Sequence, residues 1–302
     1  MQRSNKKANL FIIGAPKCGT TSMVRYLAQH PNIFVCPIKE PHYFNSDSQH
    51  RYYFTEEKYN KLFSEASPEQ TYRCEASVWY LFSKVAVENI LHYNPNATFL
   101  VMLRNPVDMF FSLYSELIFG GSEVATSPSE AWELQNRRLQ GRSIPKGAYA
   151  PEVLQYGEVC KLGQQAHRVD ELVVREKLKF VLLDDLNAQP EQVFNEILDF
   201  LQLPKIESPS IEIANKRKRR KIPQLSKFVA QSMYLKRKLG LRKGLGMANK
   251  INNWNVTDDR VLSNEDVAQL SPKLYDFFKS DIELLSKIIN RDLSHWKSKG
   301  VI

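Results

Sequence analysis

The chain has 302 residues, 43% hydrophobic and 25% charged residues, four cysteines and a formal net charge of +9. It is long enough for a substantial core, and no apolar run approaches the roughly 18–20 residues that span a bilayer. The charge is uneven, because residues 205–245 contain 13 Lys or Arg and 2 Glu, a net +11, which leaves −2 for the rest. The excess of basic residues in this segment therefore indicates a local anionic partner.

The N-terminus and the cysteines exclude further classes. The apolar run at residues 8–15 is too short and interrupted for a secretion signal and suits a first strand, so we expect a cytoplasmic protein. The cysteines form no CxxC pair, so we expect neither a zinc site nor a disulfide framework. They are Cys18, Cys36, Cys74 and Cys160.

Apolar runs that suit buried strands alternate with segments of helical periodicity. The strands are predicted at 10–13, 33–35, 71–77, 98–103 and 179–183. The helices are predicted at 20–30, 84–93, 106–118, 130–139, 151–168, 191–201 and 265–289, with 51–66 irregular to helical and 184–190 a turn. This alternation predicts an α/β fold of three layers, with a mostly parallel central sheet flanked by helices. We expect one domain over residues 1–302, with a basic segment at 205–250 and a C-terminal helical part at 260–302.

A glycine-rich turn joins the first strand to the first helix. Gly14 and Gly19 are separated by four residues, and residues 20–22 are all hydroxyl-bearing. Backbone N–H groups at such a turn favour an anion. The spacing approaches the P-loop G-x-x-x-x-G-K-[ST], but Thr20 stands where that motif has lysine, and Lys17 lies inside the loop. The same positive field would lower the pKa of the Cys18 thiol. The alternative is a glycine turn without a ligand.

The second motif, RNPVDMFFSLY, follows the most apolar predicted strand. Arg104 stands at the carboxyl end of that strand, where open α/β sheets bind ligands. Ser112 comes eight residues later, two turns along a helix, and can bind the same anion. The alternatives for Arg104 are an ion pair with Asp108 or a helix-capping role.

These two motifs carry a family resemblance. The run PKCGTTS resembles the 5′-phosphosulfate loop of sulfotransferases that use 3′-phosphoadenosine-5′-phosphosulfate (PAPS), and RNPVDMFFSLY resembles their 3′-phosphate site, nearest to the bacterial and glycan-type branch. The resemblance implies a P-loop-like fold and in-line transfer of a sulfuryl group to a hydroxyl or amine of a carbohydrate, lipid or other small molecule. The product nucleotide would be adenosine 3′,5′-bisphosphate, and no metal is required. The implied donor-binding residues are Lys17, Cys18, Gly19, Thr20, Thr21, Ser22, Arg104, Ser112, Tyr149, Lys216, Arg217 and Lys218.

The run KEPHYF resembles a glycan-branch motif whose glutamate is the catalytic base. By that resemblance Glu40 takes the proton of the acceptor hydroxyl, with His42 as the alternative base, and Lys17 stabilises charge on the leaving oxygen. From the residues alone, Glu40 could instead pair with Lys39 or Arg51. His42, beside aromatic residues, could be structural.

The acceptor and the basic run are less well defined. Residues 216–221 are six consecutive bases. In the family a late basic loop contacts the donor 3′-phosphate, and an anionic acceptor or membrane surface would be a second use. Ala76 and Val78 replace the Lys and Pro of the family segment E-[KA]-[ST]-P-x-Y-L, which weakens the case for a glycosaminoglycan acceptor. The aromatic residues that could line a pocket or form core are Tyr43, Phe44, Tyr52, Tyr53, Trp79 and Tyr149.

Two other functions fit parts of the sequence. A P-loop kinase using ATP and Mg²⁺ needs a lysine after Gly19, which is Thr20 here, and a strand-end aspartate, for which Asp184 and Asp185 are the candidates. A binder of nucleic acid or acidic membrane would use the basic run and show steep salt dependence. Because the rest of the chain is slightly acidic, we do not expect nucleic acid as the main partner.

Overall fold

The structure, a computed structural model, describes residues 6–49, 51, 53, 55–206, 219–220, 256–257 and 262–297. The chain divides into two compact units. Unit 1 contains residues 1–109, 161–214 and 278–298, and unit 2 contains residues 110–160, 215–277 and 299–302. The expectation of a single domain over residues 1–302 stays a prediction.

Unit 1 is built on a five-stranded parallel sheet. Its strands are β1 (Leu10–Gly14), β2 (Ile33–Val35), β3 (Tyr72–Ala76), β4 (Thr98–Leu103) and β5 (Leu178–Leu182). They lie in the order β2-β3-β1-β4-β5, with parallel pairing throughout. Every residue of β1 and β4 is buried, as expected for apolar strands covered on both faces. The predicted α/β fold, a parallel sheet flanked by helices, is confirmed.

Eleven helices are described. They are α1 (Thr20–Leu27), α2 (Glu56–Asn60), α3 (Ala86–Tyr93), α4 (Pro106–Gly120), α5 (Pro128–Glu133), α6 (Gln135–Leu139), α7 (Tyr156–Val159), α8 (Leu162–Leu172), α9 (Leu183–Ala188), α10 (Pro190–Phe200) and α11 (Asn264–Ile289). Helix α4 begins with the predicted proline, where the missing N–H costs no helical hydrogen bond. None of the described helices is long and apolar enough to cross a membrane.

Three predicted elements were wrong in detail. Residues 130–139 form two helices, α5 and α6, and residues 151–168 form a 3₁₀ turn followed by α7 and the start of α8. A new helix starts at α8 because the Asp281 carboxylate accepts the backbone N–H groups of Gly163 (2.7 Å) and Gln164 (2.9 Å). The predicted turn at 184–190 is instead helix α9 and the first residue of α10.

The aspartates of α9 bind the C-terminal segment of unit 1. Asp184 accepts the indole N–H of Trp296 at 2.9 Å, and Asp185 accepts two nitrogens of Arg291 at 3.0 and 3.1 Å. Trp296 is fully buried. These contacts give both aspartates a structural role. They argue against a P-loop kinase, in which a strand-end aspartate would bind magnesium.

Unit 2 contains a buried ion pair. The Glu123 carboxylate accepts two nitrogens of Arg138 at 2.7 Å each and the hydroxyl of Tyr156 at 2.8 Å. Burial alone would raise the pKa of Glu123, but its hydrogen bonds and Arg138 hold that pKa below the usual value. Removing one partner would leave an uncompensated buried charge, so the cluster stabilises unit 2 as a set. This unit also contains a short antiparallel pair, β6 (Arg219–Arg220) with β7 (Val256–Thr257).

Candidate active site

The predicted chemical groups of unit 1 follow four neighbouring strands. Lys17 follows β1, Glu40 follows β2, Ser77 follows β3 and Arg104 follows β4. Because all these strands are parallel, their carboxyl ends meet at one edge of the sheet, where α/β proteins bind ligands.

The turn between β1 and α1 requires both of its glycines. Gly14 has φ +149°, and an added Cβ would lie 2.7 Å from the Val78 carbonyl oxygen. Gly19 has φ +83°, and its Cβ would lie 2.8 Å from Leu183 Cδ1. Among the described residues no side chain caps the start of α1. The turn therefore leaves backbone amides at a helix N-terminus, an arrangement that suits an anion.

Lys17 and Arg104 lie together. The Arg104 Nη1 donates to the Lys17 carbonyl oxygen at 3.3 Å. Arg104 also lies 3.9 Å from the Asp108 carboxylate, so the ion pair that was its alternative role is present in a loose form. Lys17 itself has φ +65°, in the left-handed region. The Arg104 side chain, at the end of β4, therefore reaches the backbone of the turn that follows β1.

The thiol of Cys18 does not have the lowered pKa that the positive field of the turn would give it. Its thiol is fully buried and donates to the Pro16 carbonyl at 3.4 Å. Burial raises the pKa of Cys18 to about 12, outweighing the opposite effect of Arg104 and Lys17. The thiol stays protonated at neutral pH, so only the backbone of Cys18 is suited to an anion.

The loop of Glu40 and His42 is fixed to the end of β3. The Glu40 N–H donates to the Ala76 carbonyl at 3.1 Å, and the His42 N–H donates to Ser77 Oγ at 3.1 Å. The next N–H groups donate to the hydroxyl of Tyr80, at 2.9 Å in the nearer case. These bonds hold Glu40 at φ +57° and His42 at φ +49°.

The Glu40 carboxylate lies between two basic side chains. Its Oε1 is 3.2 Å from Lys39 Nζ, and its Oε2 is 3.4 Å from Nε2 of His42, which is fully buried. Burial alone would raise the pKa of Glu40, but the hydrogen bond of His42 and the charge of Lys39 hold that pKa below the usual value. Glu40 is thus ionised at neutral pH, as a general base must be.

Sequence reasoning missed Glu75 as part of this region. Glu75 lies on β3, is 1% exposed and accepts the Tyr59 hydroxyl at 3.1 Å. Burial raises its pKa to about 7, against the lowering effect of Ser77, Tyr80 and Tyr59, and nearby Glu40 adds to the rise. The sequence did contain a signal for this residue. Glu75 is a carboxylate near the end of a predicted strand, with apolar residues on either side of it.

Of the remaining predicted residues, two belong to unit 2 and others are not described. Ser112 is half-buried on α4 and Tyr149 is 38% exposed, and both belong to unit 2. Lys216, Arg217 and Lys218 lie outside the described residues, so their roles stay predictions, and Tyr52 also lies outside them. Of the aromatic residues, Phe44 and Trp79 are buried, which favours core for these two.

Comparison with known proteins places the chain in a family. The sulfotransferase domain family matches residues 7–250. The crystal structure of a sulfotransferase from Alicyclobacillus acidocaldarius is similar with a TM-score of 0.66 and 26% identity, over 96% of this chain and 99% of that one.

Curated relatives include bifunctional heparan sulfate N-deacetylase/N-sulfotransferase 1 of Caenorhabditis elegans, 24% identical over 207 residues. Carbohydrate sulfotransferase 15 of Rattus norvegicus is 26% identical over 251 residues. Each match covers 65% of this chain but only 22% and 44% of the respective relative, so the chain spans less than half of their length. With most of its length matched by one family, the chain belongs to the sulfotransferase domain family.

Proposed function

We propose that this protein transfers a sulfuryl group from PAPS to a hydroxyl or amine of a carbohydrate, lipid or other small molecule. The observation that carries the proposal is the contact of Arg104 with the Lys17 loop, 3.3 Å from Nη1 to the carbonyl oxygen. An arginine at the end of β4 that reaches the backbone of the glycine-rich turn after β1 suits a nucleotide with phosphates on both sides of its ribose. Family membership supports the same activity.

The residues of the turn fit such a donor. The two glycines leave the backbone open, and residues 18–21 offer amides at the start of α1. In the proposed site the hydroxyls of Thr20, Thr21 and Ser22 hold the 5′-phosphate and Arg104 holds the 3′-phosphate. Further donor-binding residues are proposed on their motifs alone, namely Ser112, Tyr149, Lys216, Arg217 and Lys218.

The proposed reaction depends on position and charge. PAPS supplies an activated sulfuryl group when bound. Glu40 accepts the proton of the acceptor, and His42, 3.4 Å away, orients the carboxylate or replaces it as base. Lys17 stabilises negative charge on the leaving oxygen. The sheet edge holds these groups in a fixed arrangement, which favours in-line displacement.

A transfer assay with labelled PAPS and a panel of acceptors tests the proposal. Lys17→Ala should lower kcat by about a hundredfold or more, because one preorganised charge is lost. Glu40→Gln should lower kcat by at least about a hundredfold and leave the Kd of adenosine 3′,5′-bisphosphate unchanged in calorimetry.

Failure of the wild-type protein to bind the bisphosphate would contradict the proposed function. Wild-type turnover in Glu40→Gln would instead move the role of base to His42. A cytoplasmic location and contact of residues 216–221 with an anionic membrane belong to the same proposal, and vesicle binding checks the latter.

A further inference from the structure

Lys39 links the start of helix α1 to Glu40, the proposed base. Its Nζ donates to Thr21 Oγ1 at 3.0 Å and lies 3.2 Å from Glu40 Oε1. The side chain is 54% exposed, and an exposed lysine usually loses rotamer entropy for little gain when it is held in one place. This ammonium is nevertheless shared between the first turn of α1, which follows β1, and the loop that follows β2.

The position of Lys39 coincides with the path of the transferred group. In the proposed site the sulfuryl group starts beside the first turn of α1, which contains Thr21, and ends on the acceptor atom that Glu40 deprotonates. The two partners of Lys39 therefore mark the two ends of that path. The adjoining end of β3 offers Ala76, Ser77 and Val78, which carry no charge, whereas Lys39, after β2, brings an ammonium to both partners.

We propose that Lys39 is a second catalytic ammonium, which binds a non-bridging oxygen of the sulfuryl group during transfer. This assignment rests on the proposed function. The sulfur–oxygen bond to the 5′-phosphate breaks while the sulfur–oxygen bond to the acceptor forms, and the acceptor proton goes to Glu40. Lys39 stays protonated and stabilises charge on the sulfuryl oxygens.

A shift of the Lys39 ammonium from Glu40 to the sulfuryl group would assist the base. While Lys39 contacts Glu40, it helps to hold the pKa of that carboxyl low. Once the ammonium turns to the sulfuryl group, the carboxylate loses part of this stabilisation and becomes a stronger base. His42 remains at the other carboxylate oxygen, and Lys17 and Arg104 are the cations on the β1 and β4 sides. The lysine thus couples donor binding to proton acceptance.

Equilibrium binding of nucleotides in the absence of acceptor tests whether Lys39 contacts the sulfuryl group. Calorimetry would compare PAPS with adenosine 3′,5′-bisphosphate, which lacks the sulfuryl group. Lys39→Ala should raise the Kd of PAPS about tenfold, the value of one charge-assisted hydrogen bond, and leave the Kd of the bisphosphate unchanged. It should also lower kcat, and Lys39→Arg should recover part of both effects.

The control is Lys58→Ala, which removes the same charge from an exposed position on α2. It should change neither Kd, and unchanged melting temperatures would show that both variants fold. Equal Kd values for PAPS in wild type and Lys39→Ala would overturn the assignment. Equal weakening of both nucleotides would also overturn it, because Lys39 would then only support the first turn of α1. If the wild-type protein bound neither nucleotide, the proposed function would fail and this assignment with it.

Discussion

Three residues whose side chains are proposed to act on substrate have a left-handed backbone conformation, which is uncommon for residues with a Cβ atom. Lys17, Glu40 and His42 have φ values of 65°, 57° and 49°. Each such residue costs on the order of 1 kcal/mol relative to an ordinary conformation. Hydrogen bonds from the end of β3 hold two of them in place. Three of the six non-glycine residues described with positive φ lie at this sheet edge, which supports a functional role for it.

Glu75 should make stability depend on pH. Its folded pKa of about 7 lies above the ordinary 4.5, so the folded protein retains a proton that the unfolded chain releases. The free energy of unfolding should therefore fall as pH rises from about 4.5 to about 7, by up to about 3 kcal/mol. Glu75→Gln should remove this slope, which urea unfolding at a series of pH values would measure.

Two comparisons isolate the effect of Glu75. Glu57→Gln changes an exposed carboxylate on α2 and should keep the wild-type slope. Glu40, whose pKa is lowered, contributes stability that is lost only as pH falls below the ordinary value of 4.5, outside the Glu75 window. An unchanged slope in Glu75→Gln would show that Glu75 is ionised in the folded protein.

Sequence reasoning located the charged groups but not their burial. Lys17, Arg104 and Glu40 stood out through spacing and motif, and the structure brings each to the same sheet edge. The protonation states of Cys18 and Glu75 could not be predicted, since they depend on side chains from distant parts of the chain. For Glu75 burial is the main cause of the raised pKa, and one residue beside it, Tyr59, comes from a helix of the irregular segment.

At the scale of elements, the β1–α1 turn should not tolerate a side chain at its first glycine. Gly14→Ala would place Cβ against the Val78 carbonyl, a backbone atom that cannot rotate away, at an unfavourable φ. We expect a loss of about 3 kcal/mol in the free energy of unfolding. Urea unfolding of the variant measures it.

Gly120→Ala is the matched control for this substitution. Gly120 ends α4, and an added Cβ meets nothing within 4 Å. Its free energy of unfolding should change by less than about 1 kcal/mol. If the two alanine variants were equally stable, the close approach at Gly14 would not be a constraint on the turn.

The elements themselves were predicted well where they are apolar and continuous. All five strands were found to within one residue. Of these, β1 and β4 are nearly continuous apolar runs, as expected for strands buried on both faces. The errors occur where a distant side chain decides a helix boundary. Nothing near residue 163 announces Asp281, yet its carboxylate starts α8.

At the scale of the whole molecule, charge is concentrated in one segment. Residues 205–245 carry a net +11 and the remainder −2. If residues 216–218 bind the donor, replacing Lys216, Arg217 and Lys218 by alanine should raise the Kd of adenosine 3′,5′-bisphosphate by about tenfold or more at low salt. The difference should shrink at about 500 mM salt, because the charges are then screened beyond roughly 4 Å.

A second basic triplet of the same segment provides the control. Replacing Lys236, Arg237 and Lys238 by alanine removes the same charge. If only the first triplet matters, the contact is local. Equal effects of both triplets would mean that the segment acts through its general field, and no effect of either would remove it from the donor site.

The buried thiol of Cys18 offers a way to observe the turn in motion. Since the sulfur is enclosed and protonated in the folded state, an alkylating reagent reaches it only when the segment opens. The rate of alkylation therefore reports how often this part of the chain unfolds locally. The other three cysteines are also buried, so peptide mapping has to assign each adduct. Slower labelling of Cys18 in the presence of a nucleotide would then serve as a footprint of occupancy that needs no catalytic turnover.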